Sequence, residues 1–218
     1  MSPGRLIVLE GAEGAGKSTQ LRLLAERCTA LGQTVVAVRE PGGTVLGDEI
    51  RRLLLDPASD VVPRAEALLF MASRAQLVER EIRPALAAGA TVLVDRFFLS
   101  TYAYQGVGRG LPATDLQQAN GMATSGLVPD VTLLLVLPVS DGLARAARRG
   151  ARDRMERAEL SFHERVASAF DGFATADWQR AHPECGPVVA VDASGTEVEV
   201  FQRIVGKLAM RWPASFAS

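Results

Sequence analysis

The chain has 218 residues, 48% of them hydrophobic and 22% charged, with a formal net charge of −1 and a pI near 6.2. That size and apolar content suit one domain with its own core and exclude a mainly disordered chain. The near-zero charge excludes a global basic field, so neither nucleic acid nor an anionic lipid surface is an expected partner.

In chain order, residues 6–9 (LIVL) form a short apolar run, and a helical pattern over 17–31 carries Leu21, Leu24, Ala25 and Cys28 on one face. Gly32 stops that helix, and residues 34–38 (TVVAV) read as a second strand. After the turn-rich EPGG, residues 45–55 are helical and end at Asp56-Pro57. Pro63 opens a helix to residue 80, and Pro84 bends it or starts the next. Residues 91–95 (TVLVD) form a third strand, 115–125 a helix, and 131–137 (VTLLLVL) a fourth strand. Ser140 or Asp141 caps a helix that runs into an arginine cluster at 145–157. A longer helix then carries Phe162, Val166, Phe170 and Phe173 on one stripe. Residues 188–191 are a fifth strand and 196–210 a last helix.

Apolar strands alternating with helices predict an α/β fold, a five-stranded parallel sheet covered by helices on both faces. With no repeat, low-complexity tract or linker, residues 1–218 are expected to be a single domain. Cys28, Cys185, His163 and His182 give no disulfide framework and no metal-ligand spacing, and are read as structural. No apolar run approaches the ~20 residues of a membrane helix and the first residues carry no signal-peptide pattern, so a cytoplasmic location is expected.

Directly after the first strand stands Gly11-Ala12-Glu13-Gly14-Ala15-Gly16-Lys17-Ser18, which fits G-x-x-x-x-G-K-[ST] at every fixed position. Small residues let successive backbone N–H groups turn toward phosphate oxygens, and the following helix N-terminus adds its dipole. Lys17 then reaches the β- and γ-phosphates while the Ser18 hydroxyl ligates Mg²⁺, with Thr19 beside it. Nucleotide phosphate binding follows, but the fate of the phosphate does not. Lysine occurs only at Lys17 and Lys207, which rules out an Asn-Lys-x-Asp guanine-reading motif. Asp95-Arg96 at the end of the third strand places a carboxylate and a guanidinium where a phosphoryl group would move, the logic of a small-molecule kinase.

The blocks LEGAEGAGKS (9–18), REPGGT (39–44), LFMASRAQ (69–76), Asp95-Arg96-Phe97, STYAYQ (100–105), Pro129-Asp130 and Asp153-Arg154-Met155-Glu156 occur in order, and together they resemble bacterial thymidylate kinase. The resemblance implies a nucleoside monophosphate kinase fold that transfers the ATP γ-phosphoryl to dTMP with Mg²⁺, in a homodimer built from helices of the first half. It implies that Phe70 and Arg74, four apart on one helix face, stack on thymine and hydrogen-bond its exocyclic oxygen. Thr101 and Gln105 would face the base edge, and Tyr104 would crowd the sugar 2′ position. Arg39 and Arg96 would clamp the monophosphate, with Glu40, Pro41 and Ser100 alongside, and Glu13 would accept from the 3′-hydroxyl. Asp95 and Ser18 would order the magnesium shell, partly through water.

In this family the catalytic arginine sits either in the phosphate loop or in the lid. This loop has none, so the lid at 145–157 is expected to supply it, with Arg149 and Arg154 the candidates. Phe97 replaces the Tyr or His common at that position, and Arg148 and Arg152 have no assigned role. The residues leave open a kinase of another nucleoside monophosphate or of a deoxynucleoside, and a protein that binds nucleotide without turnover.

Overall fold

Strands β1 (Arg5–Glu10), β2 (Val35–Arg39), β3 (Thr91–Asp95), β4 (Val131–Val136) and β5 (Val188–Asp192) form one sheet in the order β2-β3-β1-β4-β5. Every pairing is parallel. The structure, a computed structural model, describes residues 4–147, 154–155 and 159–216.

Alternate residues of each strand face opposite sides, and both sides are buried. Leu6 and Val8 of β1 point into a cluster with Val92, Val94, Leu77, Ile82, Phe98, Phe162 and Phe170. Ile7 and Leu9 point the other way, into Leu93, Leu133, Leu24, Cys28, Ile204 and Leu208. Helices α1 (Lys17–Ala30) and α10 (Glu197–Arg211) cover the second side. On the first side lie α3 (Pro63–Leu77) and α8 (Leu160–Gly172). The remaining longer helices are α2 (Val45–Leu55), capped by the Thr44 hydroxyl, α6 (Ala113–Thr124) and α7 (Val139–Ala147).

The helix opened by Pro63 runs further than its sequence pattern suggests. Past Leu77 it widens into a π-helical stretch, Val78–Ile82, and resumes as α4 (Arg83–Ala87). Pro84 lies in the first turn of α4, where its missing N–H is tolerated. Helix α5 (Phe98–Thr101), the π-helical stretch Tyr102–Gly108, α9 (Ala176–Ala181) and α11 (Pro213–Phe216) are too short for hydrophobic periodicity to reveal. Cys28 lies on α1 and Cys185 in a 3₁₀ turn, both buried and both free thiols. Among the described residues no helix is long and apolar enough to cross a membrane.

The strand order places the carboxyl ends of β1, β3 and β2 side by side. Leu9 is in register with Asp95, and Asp95 with Arg39. The three sequence blocks that follow these strands therefore converge on one edge of the sheet, where α/β folds bind ligands.

Candidate active site

The loop leaving β1 is shaped by three glycines with positive φ, Gly11, Gly14 and Gly16. A side chain at Gly11 would run into the carbonyl oxygen of Leu135, 2.5 Å from its Cβ. Gly16, by contrast, has open space where a Cβ would be, immediately before the first turn of α1 and its unpaired N–H groups. The Lys17 ammonium donates back to the carbonyl oxygens of Gly11 (3.0 Å) and Ala12 (2.9 Å). Burial, and then the charge of Arg96, pull its pKa from 10.5 down to about 7. A bound polyphosphate would reverse that by giving the ammonium a counter-charge.

Beside this loop Arg96 adopts φ 70°, a left-handed conformation that costs a side-chain-bearing residue on the order of 1–2 kcal/mol. Its surroundings hold it there. Glu10, fully buried, accepts from the backbone N–H of Phe97 (2.7 Å) and Ser100 (3.0 Å) and from the Ser100 hydroxyl (2.7 Å). The Arg96 N–H continues the sheet by donating to Leu9 O. Its guanidinium then reaches Ser100 Oγ (2.9 Å), Gly11 O (3.3 Å) and Tyr104 Oη (3.4 Å), and lies over the Tyr104 ring. Strain of this kind is concentrated at functional sites.

The Ser18 hydroxyl donates to Asp95 Oδ2 at 2.6 Å. A hydroxyl and a carboxylate beside a phosphate loop form the sparse, hard-oxygen donor set that suits Mg²⁺, which takes most of its ligands from water and phosphate. No group of three or more acidic, cysteine or histidine ligands occurs among the described residues.

A cavity of about 340 Å³ opens from this edge. Its walls bring together Glu13, Gly14, Gly16, Lys17, Ser18 and Thr19 from the loop and Arg39, Glu40 and Pro41 after β2. Phe70 and Arg74 of α3 join them, with Asp95, Arg96, Ser100, Thr101, Tyr104 and Gln105. Gly11, Ala12 and Ala15 lie behind the loop: the first two hold Lys17 by their carbonyls, and Ala15 packs into the core.

Arg74 is 1% exposed, and all five of its N–H groups are already engaged. Nε and Nη2 donate to Glu40 Oε2 (2.8 and 2.6 Å), Nη2 also to Phe97 O (2.8 Å), and Nη1 to Thr101 Oγ1 (3.1 Å) and Asn120 Oδ1. An oxygen on a bound base must share one of these donors rather than meet an idle one. Burial holds the Glu40 carboxyl above its usual range, with Arg74 pulling against it.

Two lid expectations end differently. Arg149 lies outside the described residues. Arg154, the other candidate, does not line the cavity and turns to α2 and α3 instead. Its guanidinium donates to Leu54 O (2.7 Å) and to Glu66 Oε2 (2.6 Å), and its N–H to Leu55 O (3.0 Å). The reason is Glu66, a fully buried carboxylate that attracts the guanidiniums within reach.

Phe97 and Met155, from two of the sequence blocks, also line the cavity, as do Arg51 and Leu55, which no sequence signal marks. Arg51 donates to Pro41 O at 3.0 Å and lies one turn from the buried Leu54 on amphipathic α2. His163, read as structural, faces the loop with Nδ1 3.8 Å from Glu13 Oε2.

A family model described as thymidylate kinase matches residues 9–182. The chain is 53% identical over 180 residues to a thymidylate kinase of Deinococcus radiodurans, covering 83% of this chain and 87% of that protein. It is 47% identical over 213 residues to a thymidylate kinase of a Synechococcus strain, covering 97% of each. Its fold superposes on the crystal structure of thymidylate kinase from Ehrlichia chaffeensis with a TM-score of 0.74 at 28% identity, covering 94% of this chain and 99% of that one. With the phosphate loop, the Asp95-Arg96 corner and the cavity they share, these matches establish that the chain belongs to the thymidylate kinase family.

Proposed function

We propose that this chain phosphorylates dTMP to dTDP with the γ-phosphoryl group of ATP, and that the residues of the cavity divide that task as follows. The observation that carries the reading is the convergence of Lys17 and Arg96 with Phe70, Thr101 and Gln105 on the wall of one cavity. The loop and the helix N-terminus bind the donor polyphosphate, and Lys17 regains its proton against it. Arg39 and Arg96 hold the acceptor phosphate, and Phe70 stacks on the pyrimidine. One oxygen of the acceptor phosphate bonds to the γ-phosphorus while the bond to the β-phosphate oxygen breaks, releasing ADP. The acceptor is already ionised, so no general base is needed and the protein acts by position and charge. Mg²⁺ bound at Ser18 and Asp95 would neutralise phosphate charge. Arg149 is assigned the lid's charge on the transferring group, since Arg154 is taken by Glu66.

A homodimer fits the exposed apolar side chains Leu53, Leu68 and Met122 on the adjoining helices α2, α3 and α6. The function is tested by coupled ADP release with Mg-ATP across dTMP, dUMP, UMP, dCMP, dGMP, AMP and thymidine, with Arg96→Ala alongside. Turnover is expected to be highest with dTMP, lower with dUMP and lost in the variant. Preference for thymidine or another monophosphate would overturn the acceptor assignment.

A further inference from the structure

Glu66 stands in the first turn of α3, fully buried and outside the wall of the cavity. Its two oxygens receive donors from three places in the chain. Gln105 Nε2 (2.9 Å) and Arg109 Nε (3.2 Å) reach Oε1, while Arg109 Nη2 (3.1 Å) and Arg154 Nη2 (2.6 Å) reach Oε2. The arginines are themselves fixed: Arg109 lies over the Phe162 ring, and Arg154 is tied to the end of α2. Both carboxyl oxygens are therefore occupied by donors, and the group is a rigid acceptor held by two cations.

This decides which way round the Gln105 amide sits. Gln105 is 1% exposed, lies on the π-helical stretch Tyr102–Gly108 and lines the cavity. A glutamine amide can present either its NH₂ or its carbonyl, and only the NH₂ can meet Glu66. We propose that Glu66 is a specificity-positioning residue: it locks the Gln105 amide so that the carbonyl oxygen is the group offered to the base. A fixed acceptor pairs with a ring N–H, as thymine and uracil carry at N3. It repels the N3 lone pair of cytosine at the same place. The inference deepens the proposed function and rests on its reading that Gln105 faces the base.

The test compares kcat/KM for dTMP and dCMP in the full-length chain, wild type and variants. In Glu66→Gln the new amide can donate as well as accept, so Gln105 is free to turn over. The dTMP/dCMP ratio is expected to fall about tenfold or more, as for one buried hydrogen bond, mainly through a higher KM for dTMP. Glu66→Asp keeps the charge for both arginines but draws the carboxylate back by about one C–C bond, ~1.5 Å. It should lower the ratio at some cost in thermal stability, but leaves no unpaired cation, and it decides the matter if Glu66→Gln does not fold. In a Gln105→Ala background, Glu66→Gln should change the ratio no further, since Glu66 acts through Gln105. An unchanged ratio in both Glu66 variants, or a further fall without Gln105, overturns the inference while the dTMP kinase reading stands. A wild type that fails to prefer dTMP to dCMP overturns both.

Discussion

The carbonyl oxygen of Glu13 lies 2.5 Å from where a Cβ on Gly142 would stand, so the phosphate loop and α7 meet backbone to backbone. Gly14 meets Gly142 in the same contact, and a Cβ there would overlap the Gly142 carbonyl. The helix that leads toward the lid is thus seated directly on the loop that holds phosphate. Gly142→Ala forces one of them to move. We expect a stability loss of about 1–3 kcal/mol, as for an overpacked core position, and a raised KM for ATP. Thermal unfolding measures the first and steady-state kinetics the second, and an ATP KM equal to wild type would separate the loop from α7.

Lys17 makes nucleotide binding depend on protons. In the free protein its pKa is about 7, against 10.5 unperturbed. The native state therefore disfavours the ammonium: the penalty on stability is full below about pH 7 and fades as pH rises toward the unfolded value. A bound polyphosphate restores the charge, so binding at pH 8 should take up about one proton and binding at pH 5.5 about none. Calorimetry in two buffers of different ionisation enthalpy reads this directly. Lys17→Met should abolish the uptake.

The Arg74–Glu40 pair is buried on both sides, with side-chain exposures of 2% and 3%. Removing one partner strands the other, so Arg74→Ala should destabilise by about 3–5 kcal/mol. Adding Glu40→Gln removes the stranded charge and should recover part of that loss. Glu40 already sits above the usual carboxyl range. Without Arg74 it rises further, and the variant should gain stability as pH falls and the carboxyl takes up a proton. Chemical denaturation of the single and double variants at two pH values checks the sign.

The two lid arginines should separate kinetically. Arg154→Ala removes hydrogen bonds to Leu54 and Glu66, so its main effect is expected on thermal stability, with kcat lowered by less than about tenfold. Arg149→Ala should lower kcat by about 10²–10³, the range for losing one charge-stabilising donor in a transition state. Single-turnover rates with dTMP and ATP distinguish them. The reverse order would return Arg154 to the phosphates.

Much of the site was legible in the chain because its determinants are local. A strand followed by Gly11, Gly14 and Gly16, then a helix opened by Lys17, encodes a backbone shape within a dozen residues, and the structure keeps it. Apolar strands alternating with helices determine a parallel sheet, whose strands all end at one edge, but that β1, β3 and β2 are neighbours there is seen only in the fold. Side-chain partnerships were not legible. Arg154 turned to Glu66, 88 residues away, because that carboxylate is buried and a long flexible guanidinium goes to the strongest acceptor in reach. Arg51 and Leu55 entered the cavity wall only through the way α2 packs, and Gln105 acquired its orientation from a residue on another helix. Periodicity and turn geometry are properties of neighbouring residues, so sequence alone specifies them. The pairing of buried charges depends on which distant segments are brought within a few ångströms, and only the folded chain decides that.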